Sequence, residues 1–304
     1  MDANTKKRMK EIGGEAILFD VPMSQYTTLR VGGNVEALYK ARNLGVLKKM
    51  MTFLMDEGIP YLVTGRGSNL LVRDEGLKGI AIILDESFAV IESTSLEEPY
   101  IVVGAGMPLH KLVDFCAKEG LAGVEFLAGI PGTVGGGVAM NAGSWGQEMK
   151  GVINEVTILK DRGIVEKRDS LRLNFTYRGL DLNTGQIILN ARLNLEFDNP
   201  ALIRKKVVSN MQRRKERFPV DMPSAGSIFK NPKDDYAGRL IDAVGLKGKT
   251  IGGAMISSKH ANFIVNKGNA SSSDILALMG LAVVKVRDKF NIQLLSEIKV
   301  MGEA

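Results

Sequence analysis

The sequence predicts an α+β protein of more than one domain. Helical and strand patterns follow one another in mixed order, without the strict strand–helix alternation of a doubly wound sheet. The chain has 304 residues, long for one average domain, and 45% of them are hydrophobic, enough for a sizeable core. Its apolar stretches, such as Ile80–Leu84, are strand-sized, well short of the ~18 residues of a spanning helix, which excludes membrane insertion. Three blocks are predicted, 1–85, 86–200 and 201–304.

In the first block, Leu47, Met50, Met51 and Leu54 form a helical stripe within Gly45–Glu57 that Gly58 and Pro60 end. Tyr61–Thr64 predicts a strand running into the turn Gly65–Asn69, and Leu70–Val72 and Ile80–Leu84 predict two more. In the second block Tyr100–Val103 is a strand and Pro108–Glu119 a helix opened by proline. After the glycine-rich stretch Gly120–Gly151, Val152–Leu159 and Ile164–Lys167 flank Lys160-Asp161-Arg162-Gly163 as a hairpin, and Ile187–Phe197 is a further strand. An amphipathic helix over Leu202–Phe218, with Ile203, Val207, Met211 and Phe218 inward, opens the third block. There follow a helix at Tyr236–Val244, a strand at Asn262–Val265, a long helix from Asp274 to Phe290 with its N-cap in Ser271-Ser272-Ser273, and a closing strand Ile292–Val300.

Several function classes are excluded early. The basic start Met1–Lys10 has no apolar segment after it, so it is no secretory signal, and a cytoplasmic protein is expected. The single cysteine, Cys116, lies on the inward stripe of its helix and reads as a small buried hydrophobe. His110 and His260 lie far apart without acidic or thiol neighbours at ligand spacing, so no metal site is expected. The formal net charge of +6 is concentrated in one segment: Arg204, Lys205, Lys206, Arg213, Arg214, Lys215 and Arg217 crowd a single helix. They lack the interleaved aromatics of a nucleic-acid module and read as a solvated face, with a cation near Phe218 available to an anionic ligand.

Three glycine-rich sites follow. Gly104-Ala105-Gly106 lacks the third glycine of a dinucleotide fingerprint, Leu109 standing in its place, and reads as a tight strand-to-helix turn. Gly65-Arg66-Gly67-Ser68-Asn69 could turn its amides toward a pyrophosphate or form a plain turn between strands; its residues support both readings equally. Gly129–Gly143 is rich in glycine, yet Ile130, Val134, Val138 and Met140 make it apolar, unlike an exposed linker. Backbone so bare packs closely on something: another element of the protein, or a planar ring system lying on the main chain, which the length of the stretch favours.

The segment Gly123-Val124-Glu125-Phe126-Leu127-Ala128-Gly129-Ile130-Pro131-Gly132-Thr133-Val134-Gly135-Gly136, ending in Met140-Asn141-Ala142-Gly143, resembles the flavin-binding segment of the UDP-N-acetylenolpyruvoylglucosamine reductase family. Thr28-Leu29-Arg30-Val31-Gly32-Gly33, Gly65–Asn69 and Ala225-Gly226-Ser227-Ile228-Phe229-Lys230-Asn231-Pro232 agree with that family in order and spacing. The resemblance runs from about Tyr26 to Glu297 and implies a short-form member. It implies a two-lobed FAD-binding domain of the vanillyl-alcohol-oxidase (PCMH) type, the lobes being 1–85 and 86–200, and a C-terminal α+β substrate-binding domain, 201–304. It further implies an oxidoreductase in which NADPH reduces FAD and flavin N5 passes a hydride to UDP-N-acetylglucosamine enolpyruvate. The product is UDP-N-acetylmuramic acid for peptidoglycan, hence cell-wall biogenesis, cell shape and division. A monomer is expected.

The resemblance also implies roles. Hydride addition to the vinyl group drives negative charge toward the carboxylate, which needs a pre-placed cation, and leaves one carbon needing a proton. Arg178 matches the carboxylate clamp, Ser227 the proton donor and Glu297 the third catalytic residue. On the residues alone, Arg178 is an ordinary arginine after a strand and Ser227 a turn-satisfying serine. Glu297 shares a strand face with Gln293 and Lys299 that is either solvent or a cleft. For substrate the match points to Tyr177, Arg217, Lys230 and Asn231, and Lys230 is also a candidate to activate Ser227. For FAD it points to Gly65, Arg66, Gly67, Ser68, Asn69, Gly129, Ile130, Pro131, Gly132, Thr133, Gly135, Gly136, Met140, Asn141, Ala142 and Gly143. No histidine occurs in these segments, so FAD is expected to be held without a covalent bond. Gly137 stands where alanine is common, and His260 is expected to be a buried structural residue. The alternatives are another flavin oxidase of the same fold or a non-catalytic nucleotide-binding module.

Overall fold

A computed structural model of the chain describes residues 1–93, 98–182 and 185–302. These form two compact units, one of 1–19, 36–65 and 79–212, the other of 20–35, 66–78 and the chain from 213 onward.

The first unit is built on two sheets. In one, the strands order as Ile17–Pro22, Asn34–Ala41, Leu77–Leu84 and Tyr61–Thr64, with Tyr61–Thr64 parallel to Leu77–Leu84. In the other, Val165–Asp169, Ile153–Leu159, Ile187–Asn194, Tyr100–Gly104 and Ile91–Ser93 lie antiparallel in that order. The hairpin through Lys160–Gly163 forms as predicted, with Arg162 and Gly163 both at positive φ.

Helices cover the apolar sides. α1 (Ala3–Gly13), absent from the sequence reading, starts where the Asp2 carboxylate accepts from the Thr5 amide (2.7 Å). α2 (Leu44–Asp56) is capped by Asn43 and buries Leu47, Met50, Met51, Phe53 and Leu54. α3 (Leu109–Glu119) stops at Gly120 in the left-handed region, and its Cys116 is buried. Burial, with Glu125 adding to it, pushes the Cys116 thiol up to about 12, so it stays an inert thiol. α4 (Val134–Ala139) lies within the glycine-rich stretch that carried no helical pattern. α5 (Pro200–Arg217) buries Ile203 and Val207 as predicted, but Met211 is 53% exposed. The inward stripe therefore ends a turn earlier than its periodicity suggested.

The second unit holds α6 (Ala237–Ala243), α7 (Ser272–Phe290) and the strands Thr250–Ile251, Ala254–Ile256 and Ile264–Asn266. Ile228, Phe229, Leu240, Ile275 and Leu278 lie in its core together with Leu29 and Leu71 from the early segments. Ser271 and Asp274 form a capping box on α7. Asp74 caps the same end, accepting from the Ser272 amide (2.8 Å) and from the Ser273 amide and hydroxyl (3.2 and 3.1 Å). The predicted strand Ile292–Val300 is confined to Lys299–Met301, which runs parallel to Leu70–Val72. Leu294 and Ile298 are both buried, and before Lys299 only Ser296 makes an isolated bridge, to Phe229. The alternation seen in the sequence is thus that of an extended segment anchored on the core, not of a continuous strand.

Candidate active site

In the first unit the bare main chain of 129–143 has two kinds of glycine. A Cβ on Gly135 would approach that of Ala105 to 2.8 Å, and one on Gly143 would overlap the Gln147 carbonyl, so the protein's own packing accounts for both. Gly65 is bare for the same reason: a Cβ there would overlap the Thr133 hydroxyl, which caps α4 by accepting from the Gly136 amide (3.4 Å). Gly129 and Gly132 hold positive φ. Gly136 differs: it is exposed inside α4, and a Cβ there would meet only Thr133 Oγ1 at 3.6 Å. Among the described residues nothing excludes a side chain at Gly136, although glycine costs a helix about 1 kcal/mol against alanine. Exposed main chain of this kind fits the close approach of a flat cofactor, so the residues present fit FAD. Pro131 is exposed beside it, Ile130 and Met140 are half-buried, and Ala142 donates its amide to the Gly137 carbonyl (2.8 Å). The turn reading of Gly104 and Gly106 also holds, both lying against the backbone of 84–88.

Asn141 is fully buried, and its side chain serves the protein itself. It donates to Glu148 (2.9 Å) and to the Thr176 carbonyl (3.1 Å) and accepts from the Lys150 amide (3.0 Å). Thr176 begins the two-residue turn of the hairpin Phe175–Thr176/Gly179–Leu180, whose corner is Tyr177-Arg178. Tyr177 is 44% exposed, and the Arg178 guanidinium lies 5.2 Å from its ring centre. Arg178 sits at φ 60°, where a side chain costs roughly 1–2 kcal/mol and glycine nothing.

In the second unit the stretch after Ser227 is clamped from both sides. On one side the Glu297 amide donates to the Ile228 carbonyl and the Lys230 amide to the Leu295 carbonyl, both at 2.8 Å. On the other, Asn262 accepts the Ile228 amide on its carbonyl (2.9 Å), accepts the Phe229 amide on Oδ1 (2.9 Å) and donates from Nδ2 to the Phe229 carbonyl (2.8 Å). Ser227 and Glu297 are both half-buried. The sequence reads Asn262 only as the start of a strand beside His260; an asparagine among the apolar Ala261, Phe263 and Ile264 is the one local signal of its role.

Asn231 accepts the Ala237 amide (3.1 Å) at the start of α6, and Lys230 is half-buried next to it. Arg217 is exposed and precedes Phe218, whose ring stacks on Phe263 and tilts against His260, each at 5.1 Å. His260 accepts the Asn262 amide on Nδ1 (3.3 Å), and burial, helped by the Lys247 charge, lowers its pKa. This agrees with a structural histidine. In the turn after Gly65, Arg66 is exposed and Ser68 half-buried, while Gly67 holds positive φ against the Tyr26 carbonyl. Asn69 turns its side chain to the Glu297 carbonyl (3.2 Å). Gly33 is bare because Asp74 backbone fills the place of its Cβ, and Thr28 Oγ1 donates to the Ser224 carbonyl (2.7 Å). The turn reading thus accounts for Gly67 and Asn69. Among the described residues no cluster could hold a metal, and no helix is long and apolar enough to cross a membrane.

Comparison with known proteins adds to this geometry. Residues 218–301 match the family model for UDP-N-acetylenolpyruvoylglucosamine reductase, C-terminal domain, and residues 35–167 that for an FAD binding domain. The chain is 40% identical to the UDP-N-acetylenolpyruvoylglucosamine reductase of Syntrophus aciditrophicus over 98% of its length and 96% of that protein's. It is 35% identical to that of Bacillus pumilus over 99% of each. The crystal structure of UDP-N-acetylenolpyruvylglucosamine reductase from Thermus caldophilus superposes with a TM-score of 0.80 at 38% identity, over 93% of this chain and 98% of that one. A variant of Phl p 4 described as a glucose oxidase shares the fold alone, with a TM-score of 0.50 at 12% identity over 64% of this chain and 44% of its own. The fold class is the expected one: an FAD-binding domain of the vanillyl-alcohol-oxidase type with a C-terminal α+β domain.

Proposed function

Because the chain belongs to the UDP-N-acetylenolpyruvoylglucosamine reductase family, and so reduces the enolpyruvyl ether of UDP-N-acetylglucosamine enolpyruvate in peptidoglycan synthesis, we propose how its own residues do it. The enzyme is an FAD-dependent oxidoreductase. FAD, when bound, carries the two electrons of NADPH to the substrate as a hydride. Arg178 holds the enolpyruvyl carboxylate, into which negative charge spreads as the vinyl group is reduced; its planar fork matches a carboxylate better than lysine would. Ser227 gives its proton to the internal carbon, completing the lactyl ether, and Glu297 assists at that step. Arg217 meets the UDP pyrophosphate, with Tyr177, Lys230 and Asn231 on the substrate.

The observation that carries this reading is the bond from the Glu297 amide to the Ile228 carbonyl, which makes the segments of Ser227 and Glu297 neighbours although 70 positions separate the two residues. The strained φ of Arg178 supports it further, since a side chain held where glycine would be unstrained fits one in use. In this reading FAD takes the lobes 1–85 and 86–200 without a covalent bond, and the UDP-sugar the domain 201–304. The enzyme works in the cytoplasm, where UDP-sugars and NADPH are made, as a monomer. The test is NADPH oxidation by the purified flavoprotein. Consumption that requires the enolpyruvyl UDP-sugar and yields UDP-N-acetylmuramic acid supports the assignment. Consumption indifferent to that sugar contradicts it.

A further inference from the structure

We infer that Asn262 is a positioning residue for Ser227. The inference rests on the reading of Ser227 as proton donor. Asn262 is 3% exposed and lies between buried Ala261 and Phe263, so its side-chain amide has to find its hydrogen bonds within the protein. Its amide instead grips one peptide neighbour at both ends, accepting the Phe229 N–H at 2.9 Å and donating to the Phe229 carbonyl at 2.8 Å. Its own carbonyl takes the Ile228 N–H at 2.9 Å. Three bonds from one residue thus fix the two positions directly after Ser227.

Those positions are fixed from the opposite side as well, by the Glu297 and Lys230 amide bonds. Asn262 and the Glu297 segment therefore hold the backbone of 228–230 between them, and Ser227 enters that clamp at its free end. A serine hydroxyl is a weak acid, so its efficiency as a donor depends on being held within about 2.6–3.2 Å of the carbon it protonates. A misplacement of about 1 Å can cost on the order of 100-fold. Asn262 itself transfers no proton. It is held in turn by His260, whose Nδ1 accepts the Asn262 amide at 3.3 Å.

The test compares Asn262→Asp and Asn262→Ser with the parent flavoprotein by rapid mixing, with thermal melts and flavin content confirming that each folds. The bleaching of flavin by NADPH is expected within about 3-fold of the parent, and reoxidation by the enolpyruvyl UDP-sugar about 30- to 100-fold slower. Substrate affinity, read from the perturbed flavin spectrum, is expected within about 3-fold. In a Ser227→Ala background the Asn262 changes should add less than about 3-fold, because they act through a hydroxyl no longer present. Equal slowing of both half-reactions, or a full effect persisting without the hydroxyl, overturns the inference. Normal turnover of Ser227→Ala would instead remove the donor reading itself. Should both Asn262 variants fail to fold, hydrogen exchange in the parent still decides: slow exchange at Ile228 and Phe229 supports the clamp, and loop-like rates there overturn it.

Discussion

The side-chain amide of Asn69 donates to the backbone carbonyl of Glu297 at 3.2 Å, and the Lys299 amide returns a bond to the Asn69 carbonyl at 2.9 Å. The turn between two early strands is thereby bonded to the segment carrying a proposed catalytic carboxylate. From there the parallel pairing of Leu70–Val72 with Lys299–Met301 continues the contact. Replacing Asn69 by alanine removes one of these bonds and should lower stability by about 1 kcal/mol. It should also slow substrate turnover more than flavin reduction by NADPH, measured by melts and stopped-flow. An equal effect on both half-reactions would separate Asn69 from Glu297 function.

Gly136 tests the cofactor site. Gly136→Ala should stabilise the apoprotein by about 0.5–1 kcal/mol, as expected for an exposed helical glycine with room for a methyl group. FAD binding, followed by quenching of flavin fluorescence, should weaken by about tenfold or more, roughly 1.4 kcal/mol. Unchanged affinity would free this face of α4 from any cofactor role.

Arg178 makes the opposite trade. Arg178→Gly relieves the left-handed strain, so its unfolding midpoint should match or exceed the parent's, by up to about 1 kcal/mol. Its turnover should fall by about 100-fold or more through loss of charge stabilisation. Arg178→Lys keeps the charge without the fork and should fall between. A destabilised yet active glycine variant would make Arg178 a structural residue.

Acid should act through two groups of the second unit. His260 has a lowered pKa when folded, so the unfolded chain takes up its proton first. Stability is thus complete above about pH 6.5 and declines as pH falls from there through the folded value. His260→Gln should flatten that slope in melts recorded across the range. Asp74 behaves as a depressed carboxylate: burial opposes its charge, but the amides and hydroxyls of Ser272 and Ser273 outweigh it. Its capping of α7 is complete above the usual carboxylate value of about 3.9 and is lost as pH falls through the lower folded value. Asp74→Asn should cost about 1 kcal/mol near neutrality, and the difference should narrow in acid.

Much of the fold was legible. The stripe of Leu47, Met50, Met51 and Leu54, the hairpin turn at Lys160–Gly163 and the serine cap of α7 are local signals, and local bonding satisfies them. What the sequence hid depends on distant partners. α4 carries three consecutive glycines, which disfavour helix; Thr133 caps it, and the close approach of Ala105 leaves room only for glycine at 135. The segment before Lys299 reads as a strand by its period, but its apolar residues meet the core without a continuous ladder. At the site, motif resemblance could single out Ser227 and Glu297. Nothing local shows that Asn262 grips Phe229, two residues after Ser227, since that partner lies 33 residues away. Nor could the motif reveal that Asn141 serves Thr176 and Glu148 through its side chain.

The most direct test of the account mixes Ser227→Ala flavoprotein with NADPH and then with the enolpyruvyl UDP-sugar while flavin absorbance is followed. The flavin should bleach at close to the parent rate and then fail to regain its colour on the turnover timescale when the sugar is added. Recovery at the parent rate, with UDP-N-acetylmuramic acid formed, would contradict the proposed role of Ser227.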